Sequence, residues 1–415
     1  MKTLFNIPKS VFSSLDRVLP SWYKMPRLYR PGSVKTHRSP FVVKVAGPHS
    51  EQDPDHEKNL QKQLENVPCD AKCLYVDENT PSDLEWAVLG AHFQSVEDLQ
   101  LESGFDENLN DKNIPLHWPL KRLEFSSACA ELVQSPFIRH GLVPHLRLYL
   151  TCGLRFDGPT SMELRAKHRE AIEKGEKERQ FLSPESKIEF TFLPDLVAED
   201  MQQRYGNPDR KLDPENELPS QSINMHTLEI IENDAMETFC RMALGIPRVL
   251  ENLHTLLIHS TRGLDFPCLG EEMFLEALPQ LDNLKTLDFS IGDVFFNPSS
   301  LPSLYKNLPP NLESLTFRGP ASLTMSDQWA DWVGAFGSRD FLPSLKDLVF
   351  VLDLHSEKNK QTNLESAGFD PDMLLLHSIR ACEALHQAAH ARGINVMRPS
   401  RTRSYKTERP IDDQW

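Results

Sequence analysis

One six-residue phrase, L-x-x-L-x-Φ with Φ apolar, recurs along this chain and limits its fold more than any other feature. In the second half it spans Met225–Ile230, Leu253–Ile258, Leu284–Phe289, Leu312–Phe317 and Leu345–Phe350, at spacings of 28, 31, 28 and 33 residues. In the first half it spans Val96–Leu101, Leu120–Phe125 and Val143–Leu148, at spacings of 24 and 23, with Ala71–Val76 a weaker copy upstream. In an extended segment the fourth and sixth positions point to the same side, so parallel stacking of the copies joins their apolar rows into a core that no single unit could close. The spacing leaves room for one strand and one helix per unit.

Helix-forming stretches fall between the copies. Asp234–Leu244 follows a capping Asn233 and stops at Gly245 and Pro247, and Glu271–Leu278 and Ser326–Phe336 have similar character. The expected fold is therefore α/β, with parallel strands alternating with helices. The phrase resembles that of the leucine-rich-repeat superfamily. Its irregular spacing, with proline ahead of the strand in Leu308-Pro-Pro-Asn-Leu312 and Leu342-Pro-Ser-Leu345, is similar to fungal F-box and leucine-rich-repeat-like proteins. That resemblance covers residues 67–397 and implies an irregular solenoid. The superfamily adds Asn or Cys at the ninth position of the unit, and here only Asn233 falls there, so a side-chain ladder satisfying backbone groups is expected to be largely missing.

On this reading residues 1–66 form a basic N-terminal segment, 67–397 the array, and 398–415 a polar tail. Insertions interrupt the array near 156–187, where Met162–Glu178 reads as a solvated helix and Ile188, Phe190 and Phe192 alternate as a strand, and at the polar stretch 199–221. Pro371–Ala391 reads as a long helix ending near Gly393, and Ile394–Met397 as a short closing strand; together they cap the array.

Residues 1–45 carry nine Lys and Arg against one acid, Asp16, which leaves -23 of the net -15 on the remaining 370 residues. Val11, Phe12, Leu15, Val18 and Leu19 line one face of a short helix that Pro20 terminates. With Ile7-Pro8 ahead of it, this start resembles an F-box, which implies that residues 5–20 bind the adaptor subunit of a cullin-based ubiquitin ligase. Ser10 stands where that family has an acidic residue, and no Val-Cys-x-x-Trp-like stretch follows, so a degenerate F-box without adaptor binding stays open. So do a mitochondrial presequence and a basic cap in which Phe41–Val45 is a strand.

The acidic balance repels phosphate backbones and argues against a nucleic-acid partner. Seven scattered cysteines suit a reducing, intracellular compartment, cytoplasmic or nuclear, and no apolar run reaches the ~18 residues of a membrane span. No phosphate-binding glycine loop or nucleophile elbow is present. His386 and His390 lack the glutamate of a zinc protease and read as surface or capping residues. Cys69 and Cys73 have no second cysteine pair, and the acidic runs Glu51–Glu57 and Asp106–Asp111 lack calcium-loop spacing and read as solvated loops. Trp329 and Trp332 read as core anchors. No cofactor or metal is expected.

The positions that alternate with the buried ones should project from an exposed sheet face. They supply the expected protein-binding surface: Arg122, Glu124, His145, Arg147 and Tyr149 from the first half, and Glu229, Leu257, His259, Asp288, Arg318 and Asp347 from the second. Ile231, Val349 and Val351 join Leu257 as apolar points, which either meet a partner or lie under the inserted loops or another chain segment. The expected function is a non-catalytic protein-interaction scaffold. The alternative is an enzyme whose site is assembled from loops at the strand ends.

Overall fold

The computed structural model describes residues 40–47, 55–77, 79, 81–102, 113–126, 137, 142–149, 178–181, 189–194, 224–231, 235–236, 238–239, 250–260, 270–291, 299–354 and 371–397. The strands are β1 (Phe41–Lys44), β2 (Cys73–Asp77), β3 (Asp98–Leu101), β4 (Arg122–Ser126), β5 (His145–Tyr149), β6 (Glu178–Phe181), β7 (Glu189–Pro194), β8 (Thr227–Ile231), β9 (Thr255–Ser260), β10 (Thr286–Ile291), β11 (Ser314–Pro320), β12 (Asp347–Leu354) and β13 (Asn395–Val396). Eleven of them form one open, all-parallel sheet in the order β1-β2-β3-β4-β5-β8-β9-β10-β11-β12-β13. The chain leaves this sheet after β5 and re-enters at β8. Between them β6 and β7 pair as a separate antiparallel hairpin, so the segment around residue 190 is an insertion outside the main sheet.

Each copy of the phrase is a strand, including the weaker copy at Ala71, and the copies pair in one register. Leu74, Leu99, Leu123, Leu146, Leu228, Leu256, Leu287, Leu315 and Leu348 form one row across the sheet. Val76, Leu101, Phe125, Leu148, Ile230, Ile258, Phe289, Phe317 and Phe350 form the next. Both rows are buried throughout. At about 1.5–3 kcal/mol per buried aliphatic or aromatic side chain, the two rows are the main cohesive element of the sheet. A one-residue slip would turn them out to the other face, which is why the register is uniform.

Parallel neighbours need crossovers, and among the described residues helices supply several of them. The described helices are α1 (His56–Leu64), α2 (Asp83–His92), α3 (Gly270–Ala277), a short turn α4 (Ser300–Ser303), α5 (Trp329–Gly337) and α6 (Pro371–Ala391). Aromatic rings fill the layer between helices and sheet in the C-terminal half. Phe274 stacks on Phe289 at 5.4 Å and Phe317 on Phe350 at 5.0 Å, while Trp332 packs against Phe317, Phe336 and Phe350. The Trp332 indole is fully buried and donates to the Pro302 carbonyl at 2.7 Å, and Trp329 is partly buried beside Phe350, so both are core residues.

Two backbone devices join successive units. In most phrases the second and third residues donate to the carbonyl of the second residue of the preceding one, as Lys121 and Arg122 do to Glu97 and Lys285 and Thr286 do to His254; Pro144, second in its phrase, has no N–H to give. A side-chain ladder also exists, at the front of the unit rather than at its ninth position. Asn283 donates to the Glu251 carbonyl at 2.8 Å and Asn311 to the Asp282 carbonyl at 2.9 Å. The expectation of a largely missing ladder is corrected to that extent.

The sheet begins upstream of residue 67, because β1 pairs with β2 and α1 packs beside both β1 and α2. Of the acidic run Glu51–Glu57, read as a solvated loop, residues 55–57 are described, and His56 and Glu57 open α1. Helix α2 was not anticipated although its start carries a capping box: Ser82 accepts from the Glu85 amide, and the Glu85 carboxylate accepts from the Ser82 amide at 2.9 Å. The same buried carboxylate accepts from Ala46 at 2.7 Å and Gly47 at 3.0 Å, pinning the exit of β1. At the other end α6 lies on β12, with Ser378 donating to the Leu352 carbonyl at 2.7 Å. His386, expected at the surface or in the cap, is buried where the closing helix meets β12, and its Nε2 donates to the Phe350 carbonyl at 2.9 Å; His390 is exposed. Gly393, with φ of 96°, ends the turn after α6. Of the stretch Met162–Glu178 only Glu178 is among the described residues, and it opens β6 rather than closing a helix. The other expectations for 1–39, 199–221 and 398–415 lie outside the described residues.

Candidate functional site

The face opposite the buried rows carries three further in-register rows. The third phrase positions align Asp98, Arg122, His145, Thr227, Thr255, Thr286, Ser314 and Asp347. The fifth align Gln100, Glu124, Arg147, Glu229, Leu257, Asp288, Thr316 and Val349, and a last row runs through Tyr149, Ile231, His259, Ser290, Arg318 and Val351. Every expected surface residue lies in one of these rows, so the repeat brings all eleven onto one side of one sheet.

The two halves of that face differ. From β3 to β8 opposite charges alternate from strand to strand. Arg122 contacts Asp98 at 3.2 Å and also Glu124; Arg147 contacts Glu124 at 3.6 Å and, through Nε, Glu229 at 3.2 Å; His145 contacts Glu229 at 2.9 Å. Burial pushes the Glu229 carboxyl up, but the His145 hydrogen bond and the Arg147, His145 and Arg122 charges outweigh it and hold the group below the usual carboxylate range.

Glu124 and Arg147, expected on an exposed surface, are each only 1% exposed. Their burial has an electrostatic reason: each finds an opposite charge at the next register position, and a buried ion survives only when so paired. Asp98 and Gln100 are buried beside them. Arg122 and His145 are half-buried, and Tyr149 takes its register place at the end of β5. This half is a closed polar network rather than an open binding surface.

From β8 to β12 the described residues carry no comparable ion-pair network and the face is only partly open: Ile231 and Ser290 are buried, at 2% and 3% exposed, which corrects the expectation that Ile231 is an exposed apolar point. Leu257, Asp288, Thr316, Arg318, Asp347, Val349 and Val351 are all half-buried, as are the hydroxyl-bearing Thr227, Thr255, Thr286 and Ser314. His259 Nε2 lies 3.3 Å from Asp288 Oδ1, giving one polar pair among small polar and apolar groups. Arg318 and Asp347 add one charge of each sign.

Along the rim, at the second phrase position, Glu97 lies between Lys72 and Lys121, and Glu313 between Lys285 and Lys346. Lys121 holds Glu97, and Lys346 holds Glu313, below the usual range of a carboxyl, while the Lys346 ammonium is raised in return. These pairs are solvated and add little stability.

Among the described residues no group of three or more His, Cys, Asp or Glu could hold a metal ion. Cys69 is an exposed free thiol and Cys73 a half-buried one. No described helix is long and apolar enough to cross a membrane.

Two features escaped sequence reasoning. The burial of Glu124 and Arg147 was signalled by alternation of charge between strands, visible only once the copies are aligned: Asp98, Arg122, Glu124, Arg147, Glu229. The asparagine ladder was signalled by Asn-Leu opening three successive copies, at Asn252, Asn283 and Asn311.

The fold and this face define an α/β protein built on an open, eleven-stranded parallel sheet. No family model, curated protein or solved structure matches the chain.

Proposed function

We propose that this protein is a non-catalytic, leucine-rich-repeat-like interaction scaffold that binds a protein partner across β8–β12. The observation that carries the reading is the contrast within one sheet face: closed by ion pairs from β3 to β8, partly open and mixed in character from β8 to β12. Strands about 4.8 Å apart put β8 and β12 roughly 19 Å from one another. That is the span of about six residues of extended chain. Leu257, Val349 and Val351 offer apolar contact, the threonine row offers hydroxyls, and Arg318, Asp288 and Asp347 set register with a partner's charges. The net charge of -15 disfavours nucleic acid as that partner.

A narrower form of the proposal makes the scaffold a substrate-recognition subunit of a cullin-based ubiquitin ligase, docking its adaptor through residues 5–20. Both forms are tested by affinity purification of the full-length chain from its native cells, alongside an Asp288→Lys/Arg318→Glu variant and a deletion of residues 1–45. Partners lost from the face variant but kept by the deletion support the scaffold. Adaptor and cullin recovered with the full chain and lost only on deletion support the ligase role. A folded face variant that keeps every partner overturns the assignment of the surface.

A further inference from the structure

The outer edge of β1 is finished residue by residue. In an edge strand every second residue turns its N–H and C=O away from the sheet, where another strand could add. Val45 donates inward, to the Asp77 carbonyl at 3.4 Å, so the even-numbered residues face outward. Pro40 has no N–H to offer. At Lys44 the Gln63 side chain takes both groups: the Lys44 amide donates to Oε1 at 3.0 Å, and Nε2 donates to the Lys44 carbonyl at 3.1 Å. At Ala46 the amide donates to the Glu85 carboxylate at 2.7 Å. Among the described residues nothing takes the outward groups of Val42.

A carboxamide that gives one donor and one acceptor to a single residue copies what a residue of an antiparallel neighbour strand would give. Helix α1 holds it in place, since Leu60 and Leu64 anchor that helix in the core and Gln63 lies on the last turn, beside β1. Both bonds are solvent-exposed, so water could satisfy Lys44 nearly as well, and the pair adds little to folding. What water could not do is bar a strand.

The strand that fits this edge is the same edge of a second molecule. Phe41 and Val42 are 40% and 49% exposed, and two β1 strands meeting antiparallel about a two-fold axis would cover them. With the axis at Val43, Val42 of each molecule exchanges N–H and C=O with Lys44 of the other. Each of those pairs needs the groups that Gln63 occupies. The far end of the sheet is closed in another way: α6 lies on β12, and His386 and Ser378 take the Phe350 and Leu352 carbonyls.

We propose that Gln63 is an edge guard: its carboxamide fills the place of a neighbour strand at β1 and keeps two molecules of this chain from joining there. The guarded edge is distant in the strand order from β8–β12, and the inference stands whether or not that face binds a partner.

The test follows the mass of the full-length chain over a concentration series, by size-exclusion chromatography with light scattering, for the parent, Gln63→Met, Gln63→Ala and Gln63→Met/Val42→Pro. Methionine keeps the stem of glutamine and removes its hydrogen bonds, alanine favours the helix, and matching far-UV circular dichroism verifies that all four are folded. Proline at position 42 removes an outward N–H that has no partner to lose, and so closes the edge again. The expected result is that both single variants shift with concentration to twice the parent mass, while the double variant keeps the parent mass. Single variants that keep the parent mass overturn the proposal. So does association of only one of them, since both lack the carboxamide, and so does association that Val42→Pro leaves unchanged, since it would not run through β1.

Discussion

Replacing Arg147 with methionine is the sharpest test of the closed half of the sheet face. The guanidinium is 1% exposed and lies between Glu124 and Glu229, with contacts of 3.6 Å and 3.2 Å. Methionine matches the stem of the side chain but removes the charge, leaving Glu124 with Arg122 alone and Glu229 with His145. Breaking a buried pair in this way costs about 3–5 kcal/mol, whereas loss of a solvated pair costs about 0–1 kcal/mol. The measured loss therefore decides whether this half of the face is covered in solution. Equilibrium urea unfolding followed by far-UV circular dichroism gives the number, and an Arg147→Met/Glu124→Leu double variant should be less destabilised than the single one, because it removes a stranded carboxylate. pH supplies an independent arm. The Glu229 carboxyl is held below its usual range, so its contribution is fully present above the unfolded glutamate value of about 4.3 and is lost as pH falls through the lower folded value. Arg147 is one of the charges that depress it, so the gap between the parent and Arg147→Met should narrow as pH drops below about 4.3. A loss under about 1 kcal/mol at pH 7, or a gap that does not change with pH, would refute the reasoning.

Three further outcomes follow from the contacts. Glu85→Gln turns an amide toward the three backbone donors of Ser82, Ala46 and Gly47, and should cost about 1–3 kcal/mol; hydrogen exchange at the Ala46 and Gly47 amides should accelerate before that of β2. Asn283→Ala and Asn311→Ala each remove one rung of the ladder and should cost about 0.5–1.5 kcal/mol apiece in urea unfolding. Gly319→Ala places a Cβ 2.6 Å from Phe317 Cε1, so the stacked ring must shift, and thermal melting should show a loss of about 1–3 kcal/mol.

The main sheet was legible because its signal is periodic. Leu and an aromatic or branched residue two positions apart can only be buried together on an extended segment, and one register satisfies all copies at once. Helix α6 was legible for a similar reason, with its long uninterrupted run between Pro371 and Gly393. Helices α1 and α2 were less so, since the polar HEKNLQKQL of α1 buries only Leu60 and Leu64 among its described side chains, and the Ser82–Glu85 box had to be read as a start without a strong apolar stripe behind it. The face was legible in position and wrong in exposure. Alternation says which side a residue takes, but whether Glu124 meets water depends on Arg122 of its own strand and Arg147 of the next unit. His386 illustrates the same limit: its helical spacing from His390 says nothing of the Phe350 carbonyl that draws it inward.

The two ends of the sheet are finished differently. At one, α6 is bolted to β12 by Ser378 and His386, and β13 follows as a closing stub. At the other, the Gln63 side chain bonds both the amide and the carbonyl of Lys44, while Phe41 and Val42 remain 40% and 49% exposed. Under a stretching load the molecule would thus behave as a strip glued firmly at one end, peeling from β1 inward, with the Glu85 clip as the first rivet to give.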